Sequence, residues 1–358
     1  ASTLIRKTVE LGGDRPIITI VLLNVVTAFI FTAMMGAGPV IAIGVIVLPI
    51  MMSLGVPKAI AMFSFMESVA AGIYLNPVNF TQYRAFFIEV DEMPNFTLGW
   101  YAGKWGYAAL IISVVVTTIL AGFFLKKSKT SHAWAAQTRG ASEQKDAPLF
   151  ALILPIVPVV LKIWLDFSVI GGFVIAGFAA LFLCGKMKGS FKENCQLVNK
   201  LYYDGVVDTA PLVGFLLTLP MFNTCASYAS PYFKEVLGGI MPTNEYVVCA
   251  LFAALSILGF FRGPLTLYGC GAATLGVLSA VGHFSVPFLF CVFTIPATTV
   301  NVGSCITQSW IAWGLAYTKV ESRDYLKLSI PFAYICSILL YILTAFTVTG
   351  LGPEWFLS

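Results

Sequence analysis

Amide and hydroxyl side chains beside proline or glycine occur at two places in this otherwise apolar sequence. They lie in "YLNPVNFTQ" (74–82) and in "TVNVGSCITQ" (299–308). Such side chains can hold a carboxylate through hydrogen bonds without carrying a formal charge. We interpret them as candidates for binding a small anion; the alternative is that they cap or bridge helices inside a membrane. The candidates are Asn76, Asn79, Thr81, Asn301, Gly303, Ser304, Thr307 and Gln308.

A third polar group lies in "YYDGVVDTAPLVG" (202–214), which opens an apolar run that ends in "LPMFNTCAS" (219–227). This pattern predicts a re-entrant hairpin with polar residues at its tip. Asp208 and Thr209 are candidates for binding a coupling ion, and Asn223 and Thr224 on the far side are candidates for binding a substrate. The alternative for Asp208 is an ordinary acidic residue at a helix start.

Two charged residues are isolated in apolar surroundings. Glu67 lies deep in "MFSFMESVAAG" (62–72), and an ionisable group inside a membrane segment is a functional candidate by default. We interpret it as a carrier of a coupling ion, the alternative being a hydrogen bond between helices. Arg262 directly precedes "GPLTLYG" (263–269). It could neutralise a carboxylate substrate, or it could extend its charge to the membrane surface.

The composition places these residues in a membrane protein. The 358-residue chain is 58% hydrophobic and 11% charged, whereas a soluble domain carries about a quarter of charged residues. Repeated apolar runs predict an all-α polytopic protein in a lipid bilayer, with about nine or ten spans. The sequence has no nucleotide-binding loop, metal-ligand spacing or nucleophile motif. We therefore expect neither an enzyme nor a cofactor or metal site.

The loop charges predict the orientation. Lysine and arginine cluster in the loops at 126–146, 186–200 and 319–327, which indicates that these loops are cytoplasmic. That distribution is a topology signal and does not favour nucleic-acid binding. The loop at 81–98 carries three acidic residues and one arginine, so we predict that it is external. The polar stretch at 127–147 is predicted to be a cytoplasmic linker between two halves, as in a bacterial inner-membrane protein.

The two halves share short motifs in the same order. "GPVIAIG" (38–44) and "GPLTLYG" (263–269) lie 225 positions apart, as do Asn76 and Asn301. This constant offset predicts an internal duplication, and the loop charges predict that the two copies have inverted topology. Glycine and proline interrupt membrane helices only where other groups satisfy the backbone. We expect such helix breaks at Gly38, Pro39, Gly44, Gly263, Pro264 and Gly269.

The duplication divides the chain into repeat one (1–126), the linker (127–147) and repeat two (148–358). Repeat two has 78 residues (148–225) ahead of "ASY" (226–228), whereas repeat one starts at the matching "AST" (1–3). We therefore expect the natural chain to begin about 70–80 residues earlier, so that both repeats are complete.

Three stretches resemble the ion transporter superfamily of secondary carriers, which includes gluconate, citrate and C4-dicarboxylate permeases. They are "GAGPVIAIGVIVLPIMMSLGVP" (36–57), "DGVVDTAPLVGFLLTLPMF" (204–222) and "VNVGSCITQSWIAWGLAYTKVESRDYLKLS" (300–329). The resemblance implies two inverted repeats with helical hairpins and broken helices, a homodimer, elevator-type movement and an organic anion as substrate. Neither half has the Ser-Asn-Thr triplet of the sodium-dicarboxylate branch, so the coupling ion stays open.

The sequence thus favours a secondary active transporter of small organic acid anions, driven by H⁺ as first choice or by Na⁺. One alternative is a Na⁺/H⁺ antiporter on a related fold, which needs a membrane acid and no organic substrate. Another is a membrane enzyme or a permease subunit of a larger assembly.

Overall fold

The computed structural model describes residues 16–87, 93, 95–128, 148, 154, 157–165, 167–207, 221, 225, 228, 232, 235–236, 242–282 and 284–351. In the first half the helices are α1 (Pro16–Phe31), α2 (Ala37–Ser53), α3 (Lys58–Ile73), α4 (Pro77–Arg84) and α5 (Leu98–Lys127). Helix α5 contains a π-helical turn at Ala102–Gly106.

The second half continues with α6 (Val157–Leu165), α7 (Val169–Leu183), α8 (191–207), α9 (Glu245–Ala254), α10 (Gly271–Val281), α11 (Val286–Ile295), α12 (Ser309–Thr318) and α13 (Ser322–Thr347). A 3₁₀ helix at Ser256–Arg262 follows α9. A π-helical segment at Pro296–Ser304 follows α11, and we refer to it below as the π segment.

Three helices in the described ranges are long and apolar enough to cross a membrane: Leu98–Lys127, Val286–Thr318 and Ser322–Thr347. The number rises to five if two bent pairs each form one span, α3 with α4 and α9 with the 3₁₀ helix, both bent by 64°. The predicted all-helical architecture is therefore confirmed for the described residues. These apolar helices are compatible with a membrane protein, and the nine or ten spans stay a prediction.

The centre of the molecule is built from α3 and from the continuous run of α11 and the π segment. Every residue from Ile60 to Ile73 in α3 is buried, and so is every residue from Val286 to Ser304. A helix that is apolar on all sides must be surrounded by protein or lipid. Helices α1, α5 and α13 pack around α3, while α13 and the 3₁₀ helix pack on the π segment.

The two glycine-proline motifs have different structures. Gly38 and Pro39 lie in the first turn of α2, where proline is tolerated because its missing N–H has no helical partner. Gly44 lies inside the uninterrupted α2, and a Cβ atom there would come within 2.8 Å of the Trp313 ring. The expected break at Gly44 is thus wrong, since this glycine provides room for close helix packing. By contrast, Gly263, Pro264 and Gly269 lie in non-helical turns.

Candidate functional site

The candidate site lies where α3 crosses the π segment. Gly303 is so close to α3 that a Cβ atom on it would lie 2.1 Å from Oε2 of Glu67 and 2.9 Å from Cβ of Ala70. Only a residue without a side chain fits this crossing. The contact joins two positions that are 236 residues apart in the sequence, and it brings the isolated acid Glu67 against the polar motif at 299–308.

Glu67 is fully buried at this crossing. Its Oε1 atom accepts a hydrogen bond of 2.7 Å from the hydroxyl of Ser304, and its Oε2 atom has no hydrogen-bond partner. In the described part of the chain no lysine or arginine forms an ion pair with it. An isolated carboxylate in an apolar environment is very costly, so the surroundings of Glu67 favour its neutral, protonated form.

Hydroxyl groups from α13 hold the end of the π segment in place. Tyr325 donates a hydrogen bond to the carbonyl oxygen of Gly303, and Ser329 donates one of 3.2 Å to that of Ser304. On the opposite side, the hydroxyls of Tyr74 and Thr299 are 2.5 Å apart. Tyr74 directly follows α3, so this contact joins the end of α3 to the π segment.

Asn76 occupies the bend between α3 and α4. Its Oδ1 atom accepts from the backbone N–H groups of Val78 and Asn79 at 3.0 and 3.1 Å, which caps α4. Its Nδ2 atom donates to the carbonyls of Phe31 and Met34 at 3.2 and 3.1 Å, after the end of α1. The side chain of Asn76 is therefore saturated by the protein, and a ligand would have to displace these bonds.

A second polar cluster lies beside the crossing and includes residues that the sequence patterns did not single out. The hydroxyl of Tyr83 faces Thr298 and Asn79, and Arg262 is close enough to interact with it electrostatically. The buried hydroxyl of Tyr83 contacts Thr298 and Asn79 without reaching regular hydrogen-bond geometry, whereas the buried Oδ1 atom of Asn301 has no partner. Buried oxygens of this kind are rare in proteins unless water or a ligand reaches them.

Arg262 reaches this cluster from the strained end of the 3₁₀ helix. Phe261 and Arg262 have φ angles of 55° and 61°, a left-handed conformation that is unusual for such side chains. The Nη2 atom of Arg262 donates a hydrogen bond of 3.0 Å to Oε1 of Gln308. Strained backbone of this kind persists only where the surrounding structure fixes it, and it concentrates at functional sites.

The remaining candidates lie apart from the crossing or outside the described residues. Thr81 is exposed and bonds the carbonyl of Pro77, and Thr307 is exposed and contacts the sulfur of Cys305. Asp208, Thr209, Asn223 and Thr224 lie outside the described residues. Pattern analysis missed Tyr74 and Thr298, which look like packing residues in apolar runs, and Tyr83 and Tyr325, which lie in polar stretches that were predicted to be loops.

Comparison of the chain with models of known protein families, with curated proteins and with solved structures yields no match. The geometry of the site is therefore the basis for its interpretation. Within the described ranges no group of three or more histidine, cysteine, aspartate or glutamate side chains could hold a metal ion. What the crossing offers is one buried acid, several hydroxyl groups and, beside them, one guanidinium group.

Proposed function

We propose that this protein is a secondary active transporter of small organic acid anions, and that Glu67 carries the coupling ion. The observation that carries the proposal is the fully buried Glu67 carboxyl at the crossing of two interrupted helices. An ionisable group at such a position is expensive to keep and is typical of ion and proton pathways. Interrupted helices near the middle of a membrane are typical of secondary transporters.

The arrangement of helices supports the predicted inverted repeats. Helices α1 to α5 correspond in order to α9 to α13, and in each half the first, third and fifth helices pack on one another. The interruption after α3 corresponds to the π segment after α11. The two hydroxyls in contact, on Tyr74 and Thr299, are 225 positions apart, the same offset as that of Asn76 and Asn301. Equivalent residues meet in this way when two copies are related by a two-fold axis through the contact.

The cluster beside the crossing supports an organic anion as the substrate. Arg262 supplies a permanent positive charge and a planar fork of donors that matches a carboxylate. The oxygens of Asn79 and Tyr83, which face each other, and the unpartnered Oδ1 atom of Asn301 lie within the two polar motifs or next to them, and they can hold the rest of a small polar molecule. We extend the proposal to elevator-type movement of a homodimer in a bacterial inner membrane, with the linker at 127–147 in the cytoplasm.

A Na⁺/H⁺ antiporter is the second candidate, because the buried Glu67 alone would suit it equally well. An antiporter has no need for Arg262 beside a cluster of buried polar side chains. The two candidate functions therefore differ in whether substitution of Arg262 weakens the binding of a carboxylate.

Uptake into proteoliposomes tests the proposal. The purified protein is reconstituted and supplied with a panel of labelled mono-, di- and hydroxycarboxylates under an imposed pH gradient, a Na⁺ gradient or no gradient. We expect concentrative uptake of at least one carboxylate under a gradient. Glu67→Gln should abolish the accumulation of substrate against a gradient but leave the exchange of internal for external substrate. Arg262→Gln should weaken substrate binding at least tenfold. The reason is that it removes a charge-assisted hydrogen bond, and a loss of about 1.4 kcal/mol corresponds to a tenfold change in Kd.

Two matched variants serve as controls in these experiments. Glu245→Gln removes an acid that bonds the backbone of Gly350 at an exposed site, and Arg323→Gln removes an exposed arginine in the first turn of α13. Both should transport like the wild type. The proposal is refuted if no carboxylate is transported or bound, and cation exchange that depends on Glu67 but not on Arg262 would establish the antiporter.

A further inference from the structure

The hydroxyl group of Ser304 is within hydrogen-bond distance of two acceptors. Oε1 of Glu67 lies at 2.7 Å and the carbonyl oxygen of Thr299 lies at 3.1 Å. A serine hydroxyl has one proton to donate and lone pairs to accept. A carbonyl oxygen can only accept. Ser304 can therefore satisfy both contacts only if Glu67 supplies the proton for one of them.

The protonation state of Glu67 decides which way this chain of bonds runs. When the carboxyl is protonated, it donates to the oxygen of Ser304, and Ser304 donates to the carbonyl of Thr299. When the carboxyl is ionised, it attracts the Ser304 proton, because hydrogen bonds to a charged acceptor are about twice as strong as neutral ones. The carbonyl of Thr299 then loses this donor.

The surroundings of the carboxyl suit a proton better than Na⁺. Hard cations need several oxygen ligands at once. The backbone carbonyls of Gly303 and Ser304, at the end of the π segment, accept bonds from Tyr325 and Ser329, which leaves each of them one lone pair. The Oε2 atom lies directly against the Cα of Gly303, which leaves no room for a ligand shell on that side.

No other charge competes with Glu67 at the crossing. The titratable groups that face it are the hydroxyl of Tyr325 and the thiol of Cys336, both on α13. The neighbouring polar groups from α1 and α5 belong to Asn24 and Ser113 and do not titrate. Among the described residues, Glu67 is the only aspartate, glutamate, lysine or arginine that is fully buried.

We propose that the coupling ion is a proton on Glu67, and that Ser304 is a positioning residue that transmits its presence to the π segment. The inference rests on the proposed function and deepens it by naming the ion and the residue that senses it. The affected carbonyl belongs to Thr299, whose own hydroxyl contacts Tyr74 at the end of α3. Loss of the proton therefore changes the bonding at the point where the two interrupted helices meet, two residues before Asn301.

Infrared spectroscopy of the purified protein tests this without any transport assay. A protonated buried carboxyl has a C=O band that is separate from the bands of carboxylates and amides. We expect this band in the wild type at neutral pH, in NaCl and in choline chloride alike, and its absence in Glu67→Gln. Ser304→Ala should move the band to higher frequency, because the carboxyl loses its hydrogen-bond partner. Ser68→Ala should leave it unchanged, since Ser68 bonds only the carbonyl of Ser64 within α3.

Two outcomes would overturn the proposal. If the wild type lacks the band at neutral pH, or if Na⁺ removes it while choline does not, Glu67 is ionised or binds Na⁺. An unchanged band in Ser304→Ala would remove Ser304 from the mechanism. If Ser304→Ala does not fold, Ser304→Cys replaces it, and its weaker hydrogen bond should give a smaller shift in the same direction.

The result separates the two proposals from each other. The band reports the proton on Glu67 whether or not a carboxylate is transported. If no carboxylate is transported but the band behaves as expected, the proton on Glu67 is supported and the proposed substrate is refuted. If carboxylate uptake is driven by a Na⁺ gradient alone, the proposed substrate is supported and the proton on Glu67 is refuted as the coupling ion.

Discussion

At the scale of single residues, Glu67 at the centre of α3 and Asn76 in the bend after α3 differ in how well the protein satisfies their hydrogen bonds. Asn76 uses both of its polar atoms in four hydrogen bonds to the protein, which fix the bend between α3 and α4 and the end of α1. Glu67 has one bonded oxygen and one without a partner. A saturated amide stabilises a conformation, whereas a half-satisfied acid is free to change its state. The bonds of Asn76 therefore indicate a structural role, and the free oxygen of Glu67 suits the proposed role in ion coupling.

Asn76→Ala should destabilise the protein more than the loss of an ordinary helix cap. A lost cap costs about 1 kcal/mol, and each buried carbonyl left without a donor adds about 1–3 kcal/mol. Thermal unfolding in detergent measures the effect. The matched control is Asn244→Ala, which removes an exposed cap at the start of α9 with bonds only to Tyr246 and Val247. Equal losses in the two variants would contradict the role of Asn76 between α1 and α4.

At the scale of elements, the π segment gives the second half its interruption. A π-helix shifts the register of side chains and leaves backbone groups less regularly bonded than in an α-helix. In this protein the irregular backbone is covered by α13, whose hydroxyls bond two of its carbonyls. Such coverage is what allows non-helical backbone to exist in a membrane. The π segment is thus held in place by α13 on one side and bonded to Glu67 through Ser304 on the other.

Gly303→Ala should force α3 and the π segment apart. The added methyl group would meet Oε2 of Glu67 at 2.1 Å, and overpacking of a tight core costs about 1–3 kcal/mol. Gly122→Ala in α5 is the control, because nothing lies within 4 Å of the added atom. Alanine there should be neutral or stabilising by up to about 1 kcal/mol, as in other helix interiors. Comparison of the two unfolding temperatures checks this, and a neutral Gly303→Ala would show that the crossing is looser than described.

At the scale of the whole molecule, ten of the described helices, α1 to α5 and α9 to α13, follow each other in the same order in two sets, and in each set the first, third and fifth helices pack on one another. Glu67 in the first set meets the π segment in the second. Two copies that face each other across a central site can expose that site to either side of a membrane by small relative movements. Such movements do not require the site itself to change much. The proposed duplication would therefore bear on function and not only on ancestry.

Inverted repeats make a direct prediction about the sides of the membrane. Lys104 lies in the second turn of α5 and Glu321 directly precedes α13, so both are near the N-terminal ends of these corresponding helices, and both side chains are exposed. In a background with the eight natural cysteines replaced, Lys104→Cys and Glu321→Cys should react with a membrane-impermeant thiol reagent from opposite sides, position 104 from outside. Labelling of both from the same side would mean that the two copies are parallel.

The amino-acid composition and the spacing of apolar residues were enough to predict an all-helical protein with membrane-type helices, because hydropathy is a property of short segments. The same local reading identified Glu67, Asn76 and Arg262 as unusual, since charged or amide groups are rare in apolar runs. It also placed a helix break at Gly44, where the helix is continuous, because a glycine that makes room for Trp313 looks the same in sequence as one that ends a helix.

Only the tertiary structure decided what each polar residue does, because the partners lie far away in the chain. Glu67 meets Ser304 across 237 positions, and Asn76 meets Phe31 across 45. Neither distance has a local signal. The sequence by itself determined the all-helical class of the fold and the residues that are costly to bury. The fold determined which of those residues have all their hydrogen bonds made by the protein and which keep a polar atom that can bind a ligand.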